Sequence, residues 1–212
     1  MGAKRYFFIW ALFAICLTAF ATTARADGQT DEATSFIQSM ADETITALSD
    51  RTMADADRRG IFRDLLRRGF AVELMGRYAV GRSWRSMSST QRQEYLDLFV
   101  EFALGSYADK LSGYSGESVE ILKAVAASER DTLVRTQIVS AKGTQPIACD
   151  WRVRTVDGKP RVIDVMVEGM SLLVTQRAEF SSVLRKRGID GLFDLLRERQ
   201  PEPAAKNIAL AG

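Results

Sequence analysis

The run Ile147-Ala148-Cys149-Asp150-Trp151-Arg152-Val153-Arg154-Thr155-Val156-Asp157-Gly158-Lys159 decides the fold. Ile147, Cys149, Trp151 and Val153 alternate with Ala148, Asp150, Arg152 and Arg154. Side chains of an extended chain point to opposite faces in turn, so this is a strand with one apolar face and one wet face. Asp157-Gly158 then supplies the residue pair of a two-residue hairpin, whose central positions both need positive φ. Working outward, Ser118–Ala127, Thr132–Ala141, Gln145–Thr155 and Lys159–Glu168 are four β-rich runs. The breaks Ser128–Asp131 and Lys142–Thr144 are also of hairpin length. The simplest topology is a four-stranded, or slightly larger, antiparallel meander.

On both sides of the sheet the period changes to that of helices. Phe36, Ile37, Met40, Ala41, Ile45 and Leu48 fall at three- and four-residue spacing on a first helix. Ile61, Phe62, Leu65 and Leu66 mark a second, ending near Gly69, and Phe70, Leu74, Met75 and Tyr78 a third before Gly81. Ser88-Ser89-Thr90-Gln91 is a capping box, in which serine and glutamine satisfy each other's free backbone donors. It opens a long helix carrying Tyr95, Leu98, Phe99, Phe102, Leu104, Tyr107 and Leu111, with Gly113 placed to end it. After the sheet, Ser171 to Arg187 carries Leu173, Phe180 and Leu184, and Gly188 stops it. Asp190 is a fair cap for a last helix over Gly191–Arg199 with Leu192, Leu195 and Leu196 inward. Pro201 onward reads as a frayed tail. The fold class is α+β: helices on one face of an antiparallel sheet.

The chain's first residues bear on its compartment. Lys4 and Arg5 precede an uncharged apolar stretch, Tyr6 to Phe20, and Ala24-Arg25-Ala26 supplies the small residues of a cleavage site. About fifteen apolar residues fall short of the roughly twenty that span a bilayer, so a removable export signal is expected, with Asp27 starting the mature chain. Phe13-Ala14-Ile15 before Cys16 lacks the small residue a lipoprotein signal needs. Without Lys4, Arg5 and Arg25 the 29 basic residues become 26, against 27 acidic ones. A near-neutral mature chain gives no reason to expect nucleic acid as a partner, or strong general attraction to anionic lipid surfaces. Cys149 is then the one remaining cysteine, and histidine is absent from the sequence. Ser-His-Asp and Cys-His catalysis and histidine or thiolate metal sites are thereby excluded, so no catalytic residue, metal or cofactor is expected.

Several short motifs occur in order. Asp164-Val165-Met166-Val167-Glu168-Gly169-Met170-Ser171-Leu172 is similar to the D-x-x-x-E-G-x-S-L run of the MlaC, or toluene-tolerance, family. Arg177-Ala178-Glu179-Phe180 resembles its R-x-x-F, and Gly188-Ile189-Asp190-Gly191-Leu192 its G-x-[DE]-x-L. Gly81-Arg82-Ser83-Trp84, followed by Gln91-Arg92 and Phe99, resembles its G-x-x-W turn and the start of its long helix. The likeness runs over about residues 31–199. Val80-Gly81-Arg82-Ser83-Trp84 and Thr175-Gln176-Arg177 also resemble a sister group linked to hopanoid-producing bacteria.

The resemblance implies a single domain over 27–199 with a sheet related to the nuclear-transport-factor-like cone. It also implies a periplasmic protein that carries a phospholipid by its acyl tails, for which a monomer is the default expectation. Its partners would be an inner-membrane ABC transporter complex and an outer-membrane lipoprotein complex. Roughly thirty methylenes at about 0.8 kcal/mol each represent over 20 kcal/mol of transfer free energy, which calls for a deep apolar cavity. The expected tail contacts are Ile147, Trp151, Val153, Val165 and Val167 on the sheet, facing Phe99, Phe102, Tyr107 and Leu172. Arg177 would meet the headgroup phosphate, as guanidinium does well, or else pair with Asp164, Glu168 or Glu179. Two other readings stay open: a cone enzyme using Asp164 as base, and a lipid-free adaptor. Arg185-Lys186-Arg187 reads as a solvated helix end or a docking patch.

Overall fold

The computed structural model describes residues 28–112, 116–140 and 142–199, without the side chains of 55 and 106–112. The expected export signal, Gly113, the Tyr107 side chain and the tail from 200 lie outside the described residues. A first helix, α1, covers residues 28–49. It is followed by α2 (Asp55–Gly69), α3 (Val72–Val80), a 3-10 turn (Gly81–Arg85) and α4 (Ser89–Ser112). Strands β1 (Ser118–Ala126), β2 (Asp131–Val139), β3 (Ile147–Val156), β4 (Lys159–Val167) and β5 (Met170–Ser171) come next, then α5 (Leu172–Glu198). The strands form one open antiparallel sheet in the order β1-β2-β3-β4-β5.

Local chemistry explains these boundaries. The Ser88 hydroxyl accepts from the Gln91 amide at 3.2 Å, while Gln91 Oε1 accepts from the Ser88 amide at 2.9 Å, which starts α4 with the expected capping box. Asp157 and Gly158 both have positive φ, and Val156 pairs with Lys159 across them. A second turn of the same kind was not expected: Glu168 and Gly169, at φ 50° and 77°, join Val167 to Met170 and create β5. Gly188, at φ 68°, kinks α5 where the sequence predicted a stop.

The core is divided. Ala33, Ile37 and Met40 of α1 share one apolar cluster with Val134, Val153 and Val162 of the sheet. Ala47, further along α1, joins Phe62, Leu65, Val100 and Leu104 of α2 and α4. A third cluster is helical: Tyr95, Phe99 and Phe102 of α4 pack with Phe180, Leu192, Phe193 and Leu196 of α5.

On the sheet's outer face one carboxylate is buried. Asp131, 1% exposed, accepts from Arg154 Nε at 2.6 Å and Nη2 at 2.9 Å, and from Arg152 Nε at 3.0 Å. Burial alone would push its pKa up, but hydrogen bonds and charge from Arg154 and Arg152 hold it below the ordinary value. A depressed carboxyl adds stability that is present above its unfolded pKa and is lost as pH falls through the folded one. Asp131→Asn should therefore cost about 1–3 kcal/mol near pH 7, allowing for arginines that are partly solvated. Urea unfolding of both proteins across the acid range should show the gap closing below about pH 4.

Candidate functional site

Cross-strand register assembles an apolar wall on the inner face of the sheet. Val134 lies opposite Trp151, which lies opposite Val165, and Thr132 opposite Val153, which lies opposite Val162. A bulge at Ile163 lets Val162 and Val165 share this face although they are three apart. The Trp151 indole is held in place, since its Nε1 donates to Thr136 Oγ1 at 3.1 Å and the Thr136 hydroxyl in turn donates to the Cys149 carbonyl. Burial pushes the Cys149 thiol up to about 11, so it stays protonated and inert at neutral pH. The Thr132 hydroxyl is buried without a partner among the described residues.

Among the described residues this wall does not face an empty chamber. Helix α1 lies in the same cluster, and Ala33, Ile37 and Met40 fill the space. The other flank of α1 borders an open cleft of about 1150 Å³. Its lining includes Thr34, Gln38, Asp42, Glu43 and Thr46 of α1, with Met53, Ile61 and Ile121.

The residues expected to touch acyl tails therefore separate into groups. Trp151, Val153 and Val165 meet on the inner wall. Val167, opposite Cys149, is half-buried, as is Leu172, the first residue of α5, and Ile147 is exposed at the start of β3. Phe99 and Phe102 lie elsewhere, packed on Phe180 with ring centroids at 6.3 and 5.7 Å. The wall also contains Val134 and Val162, and it is covered by two residues of α1, Ile37 and Met40. The helical spacing of the last two was legible, but nothing in it named the sheet as their neighbour.

Asp164 takes neither a base's place nor an ion partner's. Its Oδ2 accepts from the Ser171 hydroxyl at 2.6 Å and its Oδ1 from the Leu173 amide at 3.3 Å, so it fixes the start of α5. Ser171 Oγ itself accepts from the Val174 amide. Arg177 Nη1 donates to the Tyr78 carbonyl at 2.8 Å, and its guanidinium lies 4.5 Å from the Tyr78 ring centroid. It packs beside Gly81, where an added Cβ would sit 3.2 Å from Nη2. Among the described residues it makes no ion pair with Asp164, Glu168 or Glu179, and no acidic or cysteine group is placed to hold a metal ion.

The scaffold is α+β, and its sheet turns an apolar wall toward a covering helix. The chain belongs to the MlaC family, whose family model, described as MlaC protein, matches residues 38–198. It is 27% identical over 211 residues to the intermembrane phospholipid transport system binding protein MlaC of Haemophilus influenzae, covering 96% of this chain and 97% of that one. The structure is also similar to the phospholipid-binding protein of Ralstonia solanacearum, solved in complex with a phospholipid. That match has a TM-score of 0.68 at 25% identity and covers 79% of this chain and 96% of the other.

The joint between Gly81 and Arg177 yields a stability prediction. Gly81 has φ 57° and ψ −123°, a conformation that costs a residue with a Cβ about 1–3 kcal/mol. Gly81→Ala should destabilise by that amount. Its effect should be smaller when Arg177→Ala has already removed the crowded guanidinium, so a double-mutant cycle by denaturant unfolding should give a non-zero coupling.

Proposed function

We propose that this protein is a periplasmic, non-enzymatic carrier that binds phospholipid acyl chains against the inner wall of its sheet and moves lipid between membrane transport complexes. Family membership supports the class, and the names of the Haemophilus and Ralstonia proteins support the cargo. The observation that carries the mechanism is the cluster shared by α1 and the sheet, because helix side chains hold the space that fatty chains need.

Magnitudes favour exchange. Burying Ile37 and Met40 is worth about 1.5–3 kcal/mol each, whereas drying two fatty chains is worth over 20 kcal/mol. A lipid can therefore displace the N-terminal half of α1, and α1 can return when the lipid leaves. Trp151, Val153 and Val165 form the wall in this reading, with Val134 and Val162 beside them. Val167 and Leu172 flank the wall, and Ile147 marks its rim. Phe99 and Phe102 stay with the helical core. Arg177 remains the headgroup candidate, since its remaining N–H groups can meet a phosphate without releasing the Tyr78 carbonyl. The partners would be the inner-membrane ABC transporter and outer-membrane lipoprotein complexes that the family resemblance implies.

Organic extraction of the purified protein followed by mass spectrometry tests this. Close to one lipid per chain is expected, and the same spectrum separates phospholipid from the hopanoid cargo suggested by the Gly81–Trp84 and Thr175–Arg177 stretches. Val153→Phe should lower that occupancy several-fold while the fold persists. Lipid-free wild-type protein would favour an adaptor, and turnover abolished by Asp164→Asn would favour an enzyme.

A further inference from the structure

The protein's near-neutral charge hides a concentration of arginine at one place. Arg77 and Arg92 lie 5.8 and 5.4 Å from the centroid of Trp84, and Arg92 Nε also donates to the Trp84 carbonyl at 3.1 Å. Trp84 sits in the five-residue turn Gly81–Arg85, which brings Arg82 and Arg85 to the surface. Arg177 closes the group, packed at Gly81 and over Tyr78. Five guanidinium groups thus surround one turn. Their acidic company is thin: Arg77 reaches Glu73 only at 3.9 Å, and Arg82, Arg85, Arg92 and Arg177 make no ion pair among the described residues.

Other arginines contrast with these. Arg63 pairs with Glu101, Arg67 with Asp97, Arg154 with Asp131 and Arg199 with Glu179. The turn also adjoins exposed apolar surface. Leu74 and Tyr78, one helical turn apart on α3, are 39% and 44% exposed. Val174, one turn before Arg177 on the adjoining α5, is 53% exposed.

We propose that the Gly81–Arg85 turn, with the arginines around it and the exposed side chains of α3 and α5, docks the protein on an anionic phospholipid bilayer. Charge complementarity selects the occupant. Unpaired guanidinium groups match lipid phosphates and a negative surface potential, and each basic residue near such a surface adds about fivefold to binding. Tyrosine and aliphatic side chains beside them suit the headgroup boundary, giving the second signal that stable peripheral binding requires. Among the described residues no helix is long and apolar enough to cross a membrane, so this contact would be peripheral and reversible. Arg177 is shared with the cargo reading and is left unchanged in the test; docking needs neither an empty nor an occupied sheet wall.

Flotation of the purified protein with phosphatidylcholine vesicles, with and without phosphatidylglycerol, tests the proposal. The wild type should float only with phosphatidylglycerol and should be released by salt. Arg82→Gln combined with Arg85→Gln should lower its vesicle partition more than tenfold. Arg51→Gln with Arg130→Gln, the same charge change after α1 and at the β1–β2 turn, should leave it within about twofold of wild type. Lipid content measured by extraction should be equal in all three proteins, which keeps this test independent of the cargo reading. Flotation without dependence on phosphatidylglycerol, equal losses in both variants, or no wild-type flotation would each overturn bilayer docking; the last would leave an acidic protein surface as the candidate partner.

Discussion

The hydrophobic contact between α1 and the inner face of the sheet constrains the rest of the molecule. A half-wet antiparallel sheet must cover its apolar side, and here a single helix contributes Ala33, Ile37 and Met40 to that cover. Its hold is modest because only a few large side chains are involved. In the proposed exchange such a cover is stable in water yet weaker than the attraction of fatty chains for the same wall. In that exchange this one contact changes while the remaining elements hold the fold.

That independence comes from the separate helical core. Tyr95, Phe99, Phe102 and Phe180 pack as a ring cluster, and the Tyr95 hydroxyl donates to the Gly76 carbonyl at 3.1 Å. Burial raises the Tyr95 pKa, so the phenol remains a neutral donor. The core is fastened to the sheet at two places. Asp164 fixes the N-terminus of α5 to β4, and the Ala71 amide donates to the Val162 carbonyl at 2.9 Å at the start of α3. Arg177 then ties α5 to the end of α3 through the Tyr78 carbonyl. The short family motifs map onto these joints more than onto the apolar wall.

The alternation Ile147 to Val153 and the Asp157-Gly158 turn made the sheet legible, since period and turn chemistry are local properties. Helix boundaries were legible for the same reason, as Ser88 with Gln91 and Gly188 show. The fifth strand escaped because Glu168 adopts a positive φ for which asparagine or aspartate is the usual signal. Neighbours across the core were harder. Phe99 and Phe102 lie on a helix whose spacing shows an apolar face, but spacing cannot say whether Trp151 or Phe180 will meet it. Arg177 stands in a short motif, but its bond to the Tyr78 carbonyl depends on a backbone group 99 residues away that no motif encodes.

The central claim is that fatty chains replace α1 against the sheet wall. Tryptophan quenching by phospholipids brominated along their tails reads that contact directly. With loaded mature protein separated from vesicles, Trp151 fluorescence should be strongly quenched in the Trp84→Phe variant, and the Trp84 signal should barely change in the Trp151→Phe variant. Equal quenching in both, or quenching confined to Trp84, would place the tails somewhere other than the sheet and contradict the account.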